Sequence, residues 1–123
     1  MIPINELQSK IYQVLNKLDI DIYDEVPLNS NMPLINIGDY NLSSIDVKDL
    51  GYSFEWTINI YTEYEGKKQV NELTSKAINK LYELIGADLS EDFSINDVML
   101  NNANINRLEG FYVANINIKI EIN

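Results

Sequence analysis

Four acids crowd the front of the chain: Asp19, Asp21, Asp24 and Glu25. Oxygen ligands at such density suit a hard cation such as calcium. Two of them could instead divide acid and base work on a glycosidic bond, given one raised pKa in a pocket and a partner about 5–10 Å away. Neither chemistry has its sequence pattern. The run lacks the calcium-binding loop with its central Gly and terminal Glu, and Asp19 and Asp21 share one face of an alternating segment, as solvated strand residues do. A small acidic cytosolic module that binds a metal or ligand through Asp19, Asp21, Asp24 and Glu25 therefore stands as an alternative reading. The first reading of the acids is wet charge.

Other chemistries lose their residues outright. Histidine and cysteine are absent, which removes the usual general base near neutral pH, the usual zinc ligands, thiolate metal sites and disulfides. Glycines at 38, 51, 66, 86 and 110 never assemble into a phosphate loop, and "EYEGKKQV" lacks both the upstream Gly and the following Ser or Thr. Tyr61, Tyr64, Tyr82 and Tyr112 could stack on bases or sugars. The chain carries a net charge of −10, which repels phosphate backbones and anionic lipid, so core packing is the better use of these rings. Lys67, Lys68, Lys76 and Lys80 gather on or before the second helix, where they could meet an acidic partner; an ordinary solvated helix face is the first reading. No enzyme activity, cofactor, nucleic acid or membrane partner is expected. The first twenty residues hold neither a signal-like apolar run nor a membrane span, so the chain is expected to stay in the compartment where it is made. The many Asn and Ile residues are ascribed to A/T-rich codons.

The elements that would position any site follow from periodicity. With 123 residues the chain is expected to be a single domain, residues 1–123, with one core. Leu7, Ile11, Val14, Leu15 and Leu18 fall at helical spacing behind a capping-box pattern of Asn5 and Gln8. Ile20 to Val26 alternates as a short strand. Pro27 and Pro33 bracket a turn at Asn29-Ser30-Asn31, and Leu34 to Ile37 restarts a strand expected to end at Gly38-Asp39. Tyr52 to Tyr64 is the clearest strand, with Tyr52, Phe54, Trp56, Ile58 and Ile60 on one face. Val70, Leu73, Ala77, Leu81, Leu84 and Ile85 mark a second helix, supported by Glu72 and Lys76 and ended by Gly86. Phe93 to Leu100 and Tyr112 to Ile122 complete the set as a hairpin, with turn signals at Asn101-Asn102 and Glu109-Gly110. The predicted fold class is α+β: a mainly antiparallel sheet with two helices packed on one face.

The ordered motifs "DIYDEVP", "PLINIGD" and "DVKDLGYSFEWTINIYTEYEGKKQVNEL", behind an N-terminal amphipathic helix, resemble the tail-completion or tail-terminator family of long-tailed bacteriophages and phage-tail-like particles. The resemblance covers about Leu7 to Leu84. It implies a structural assembly protein, found in a virion or tail-like particle and assembled in the bacterial cytoplasm. Such a protein closes into a homo-oligomeric ring, usually a hexamer, caps the tail tube, stops its polymerisation and offers a docking surface to the head connector. Its partners would be copies of itself, the tail tube protein and a head-completion, connector or sheath protein. A head-side connector or minor tail protein is a further alternative.

One segment invites an interface. "GDYNLSSIDVKDLG", Gly38 to Gly51, is longer than a tight hairpin needs, and its scattered apolar residues are too few for a core. It reads as an exposed hairpin arm that meets the neighbouring subunit or the tube through Tyr40, Leu42, Ser43, Ser44, Ile45, Asp46, Val47 and Lys48.

Overall fold

A computed structural model describes residues 1–46 and 51–123. Helix α1, Ile4–Leu15, buries Leu7, Ile11 and Leu15. A single 3-10 turn, Asn16–Leu18, extends it. The expected capping box is not formed: Pro3 occupies the cap position, and its carbonyl accepts the Leu7 N–H at 3.0 Å. Asp19 then takes a left-handed φ of 58° and turns the chain into strand β1, Asp21–Tyr23, shorter than the alternation suggested. Helix α2, Lys68–Tyr82, buries Val70, Thr74, Ala77 and Leu81. It stops before Ile85, which leaves that residue exposed and off the expected stripe.

Strands β2 (Leu34–Asp46), β3 (Gly51–Thr62), β4 (Ile95–Leu108) and β5 (Phe111–Ile122) join β1 in one sheet of order β1-β2-β3-β5-β4. Only the β1–β2 pair is parallel. Both helices contribute to one hydrophobic cluster on one face of this sheet, so the class is α+β as expected. Phe54, Trp56, Ile58 and Ile60 of β3 lie in it beside Ile116, Ile118, Ile120 and Ile122 of β5, all of them fully buried. Of the four tyrosines expected to pack inside, only Tyr112 is buried.

Two expected strand ends are bulges instead. Gly38 and Asp39 together face Thr57, and β2 runs on to Asp46. Asn101 is the extra residue between the pairs Leu100↔Ile118 and Asn102↔Asn117, and β4 runs on to Leu108. Each bulge inserts one residue and so reverses which side of the strand faces the core. In β2 the core side passes from Ile35 and Ile37 to Tyr40 and Leu42; in β4 it passes from Val98 and Leu100 to Ala103 and Ile105. The hairpin turn sits at Glu109-Gly110 alone, where Gly110 adopts a φ of 87°.

Two carboxylates tie the helices to their surroundings. Lys17 and Lys80 reach Glu83 at 2.8 and 3.0 Å, and these hydrogen bonds, that of Lys17 foremost, hold its carboxyl below the ordinary value of 4.5. The Ser90 hydroxyl and backbone N–H do the same for Glu6. A lowered folded-state pKa means that the stabilisation is present above the unfolded carboxylate range and fades as pH falls through the folded value. The thermal midpoint should therefore drop on acidification below about pH 4.5, and Glu83→Gln should make that drop shallower. An unchanged acid limb in the Glu83→Gln variant would refute the assignment.

Candidate interaction surfaces

The acid cluster does not assemble into a site. Asp19, Asp21, Asp24 and Glu25 are all exposed, and among the described residues no group of three or more acids could hold an ion. A groove of about 420 Å³ between α1 and β1 includes Asp24, but its other polar residues, among them Asn5, Gln8, Tyr12 and Tyr23, supply no second carboxylate. The clustered set of acids that the rival metal reading needs is therefore not found among the described residues. No helix among the described residues is long and apolar enough to cross a membrane.

The nominated arm is placed differently from its expectation. It is not a free projection: β2 pairs with β3 from Leu34↔Tyr61 down to Asp46↔Gly51, and β3 pairs with β5 along the same length. Tyr40 is 39% exposed yet sits on the core side, its ring 4.7 Å from Trp56 and 5.7 Å from Phe54. Leu42 is half-buried against the core. Ser43, Ser44 and Ile45 are exposed, and Asp46 ends the strand. Val47 and Lys48 lie outside the described residues. The structure thus gathers Ser43, Ser44 and Ile45 at one end of the sheet and turns Tyr40 and Leu42 inward.

The face of the sheet away from the helices carries what the sequence reading set aside. Asn36, Asn59, Asn115 and Asn104 stand in one register row across β2, β3, β5 and β4. Asn59 Nδ2 donates to Asn36 Oδ1 at 3.0 Å, and Asn115 Nδ2 donates to Asn104 Oδ1 at 3.1 Å. In the next row Asn101 Nδ2 donates to Asn117 Oδ1 at 2.8 Å. Cross-strand side-chain pairs of this kind stabilise a sheet and fix its register. The centre of this face is therefore polar but uncharged, on a chain whose net charge is −10. Beyond one end of the asparagine rows, the loop between the two prolines covers Leu34, and Leu28 on that loop is 95% exposed near Tyr61 and Phe111.

No protein-family model matches the sequence, and no curated protein matches it. A solved structure does match: a chain described as "Virion of native gene transfer agent (GTA) particle". The likeness has a TM-score of 0.79 and covers 98% of this chain and 97% of that one, at 18% sequence identity. At that identity it is a likeness of fold, over the full length of both chains.

Proposed function

We propose that this chain is a structural protein of a phage-like particle and that it acts as a tail terminator, closing into a ring on the last ring of the tail tube. The observation that carries the reading is the end-to-end fold likeness to a virion chain. It covers β4 and β5 as well as the Leu7–Leu84 stretch whose motifs resemble the terminator family. The surfaces agree with such a role. The described residues offer no catalytic constellation, while a sheet face with an uncharged centre, an exposed Leu28 and the exposed Ser43–Ile45 end of β2 are available for contact. A tube grows by adding identical rings, and a ring that presents the tube's docking surface on one side only ends that growth. The interface residues in this reading are Ser43, Ser44 and Ile45, with Tyr40 and Leu42 anchoring the strand that presents them.

Localisation in the particle tests the reading. A small epitope tag at the C-terminus, imaged on purified particles by electron microscopy, should mark a single ring where the tube meets the head. Label spread along the tube or over the capsid would refute it. Label confined to the head side of the joint would favour a connector instead.

A further inference from the structure

We propose that copies of this chain join edge to edge, the outer edge of β4 in one copy pairing with the outer edge of β2 in the next, so that one antiparallel sheet continues across the subunit boundary. The joint deepens the ring reading and depends on it. Strand β4 spans 14 residues at the rim of the sheet. From Val98 to Asn106 it contains no charged residue and no proline. Long rim strands of this kind are templates for pairing, and natural proteins usually protect them with lysine, proline or short length. β4 is irregular at Asn96 and again at Asn101, and between Val98 and Asn106 the Asn101 bulge interrupts one row only.

The opposite rim is also bare. Strand β1 covers β2 only at Leu34–Asn36, so among the described residues β2 has no outer strand partner from Ile37 onward. Strand direction makes the two rims fit. β2 and β5 run one way, β3 and β4 the other. A second copy set beside β4 in the same orientation presents its β2 antiparallel to β4, which continues the alternation already present inside the subunit. Such a contact is head-to-tail, and head-to-tail contacts close into rings when their rotation permits. A two-fold β4–β4 contact would satisfy one rim and leave both β2 rims open. The β4–β2 joint satisfies both with one kind of contact.

The outward amides locate the joint. Asp97 Oδ1 accepts the Val98 N–H, and the Tyr82 hydroxyl accepts the Leu100 N–H, so the lower part of β4 is already occupied. Alternation back from the hairpin-closing pair Leu108↔Phe111 turns the amides of Ala103, Ile105 and Arg107 outward. Carried through β5 and β3, the same alternation pairs Asn41 and Ser43 with β3 and turns the amides of Tyr40, Leu42 and Ser44 outward on β2. These are the main-chain groups that strand addition would use.

Proline at an outward amide removes only the intermolecular bond, because the bonds to the inner strand stay intact. Light scattering coupled to size exclusion, with circular dichroism as the folding control, provides the measurement. Wild type should assemble, whereas Ala103→Pro and Ser44→Pro should each be folded and lose assembly by tenfold or more. Mixing the two variants should give a dimer and nothing larger, since one supplies an intact β2 rim and the other an intact β4 rim. If both variants assemble like wild type, the joint is wrong while the ring reading stands. If Ser44→Pro dimerises alone and Ala103→Pro does not, the contact is β4–β4 and the proposal falls. A wild-type chain monomeric at its highest soluble concentration also overturns the joint, whatever the particle localisation returns. Where a proline variant unfolds, Ala103→Lys, which charges the rim without touching the backbone, must give the same loss.

Discussion

Trp56→Ala is expected to lower stability by about 3–5 kcal/mol, the cost of emptying a large buried aromatic site. Domains of this size hold only about 5–15 kcal/mol in total, and the loss corresponds to roughly 10–20 °C in the thermal midpoint. Trp56 is fully buried on β3, opposite Tyr40 of β2 and Ile118 of β5. Its ring centroid lies 4.7 Å from that of Tyr40 and 5.7 Å from that of Phe54. The indole Nε1–H donates to the Gly38 carbonyl at 3.0 Å, so the side chain holds the β2 bulge as well as filling the core. Trp56→Phe separates the two roles: it keeps most of the packing and loses the hydrogen bond, which should cost about 1–3 kcal/mol for a carbonyl left without its partner. Chemical denaturation of both variants checks the order. Equal losses would mean that the hydrogen bond, and not packing, carries the whole effect, and an unchanged midpoint in Trp56→Ala would remove Trp56 from the core.

What was legible in the sequence divides along one physical line. β3 and β5 were read correctly because each alternates without interruption between a buried and a wetter face, and period 2 survives from Tyr52 to Thr62 and from Tyr112 to Ile122. β2 and β4 were each cut short for the same reason. A single extra residue reverses the alternation, so Tyr40 and Leu42 appear out of phase with Ile35 and Ile37, and Ala103 and Ile105 out of phase with Val98 and Leu100. Gly38-Asp39 and Asn101-Asn102 therefore resembled turns. The two bulges also lie at the same level of the sheet, facing Thr57 and Asn117, a relation that exists only once the strands are paired.

The candidate surfaces divide in the same way. Ser43, Ser44 and Ile45 were found as exposed polar and apolar residues with no core to join. Tyr40 and Leu42 were grouped with them because their turn toward the core depends on the bulge. The asparagine row was invisible, since Asn36, Asn59, Asn104 and Asn115 are far apart in sequence and meet through register alone. Codon composition can account for why asparagine is frequent, but it does not account for four of them in one row. The rim joint was out of reach for the same reason: whether a strand lies at the edge of a sheet is a property of topology.

Gly38→Ala should be the most damaging single-methyl change on the open face. A Cβ at Gly38 would lie 2.9 Å from the Thr57 carbonyl oxygen, 3.2 Å from Asn59 Nδ2 and 3.6 Å from Asn36 Oδ1. The first contact is with backbone of the neighbouring strand and has no rotamer to relieve it. Either β2 lifts away from β3 at the bulge or the sheet bends, and overpacking of this kind costs about 1–3 kcal/mol. Lifting β2 would also draw the Gly38 carbonyl off the Trp56 indole, adding about 1–3 kcal/mol for the unpaired groups. The two losses are coupled, which a double-mutant cycle can read: in a Trp56→Phe background, Gly38→Ala should cost less than it does in wild type, because the hydrogen bond is already gone. Asn59→Ala should not rescue Gly38→Ala, since it removes the amide neighbour and leaves the Thr57 carbonyl in place. Full recovery of the denaturation midpoint in the Gly38→Ala/Asn59→Ala variant would place the clash on the asparagine side chain and overturn the close backbone approach as the reason for glycine at this position.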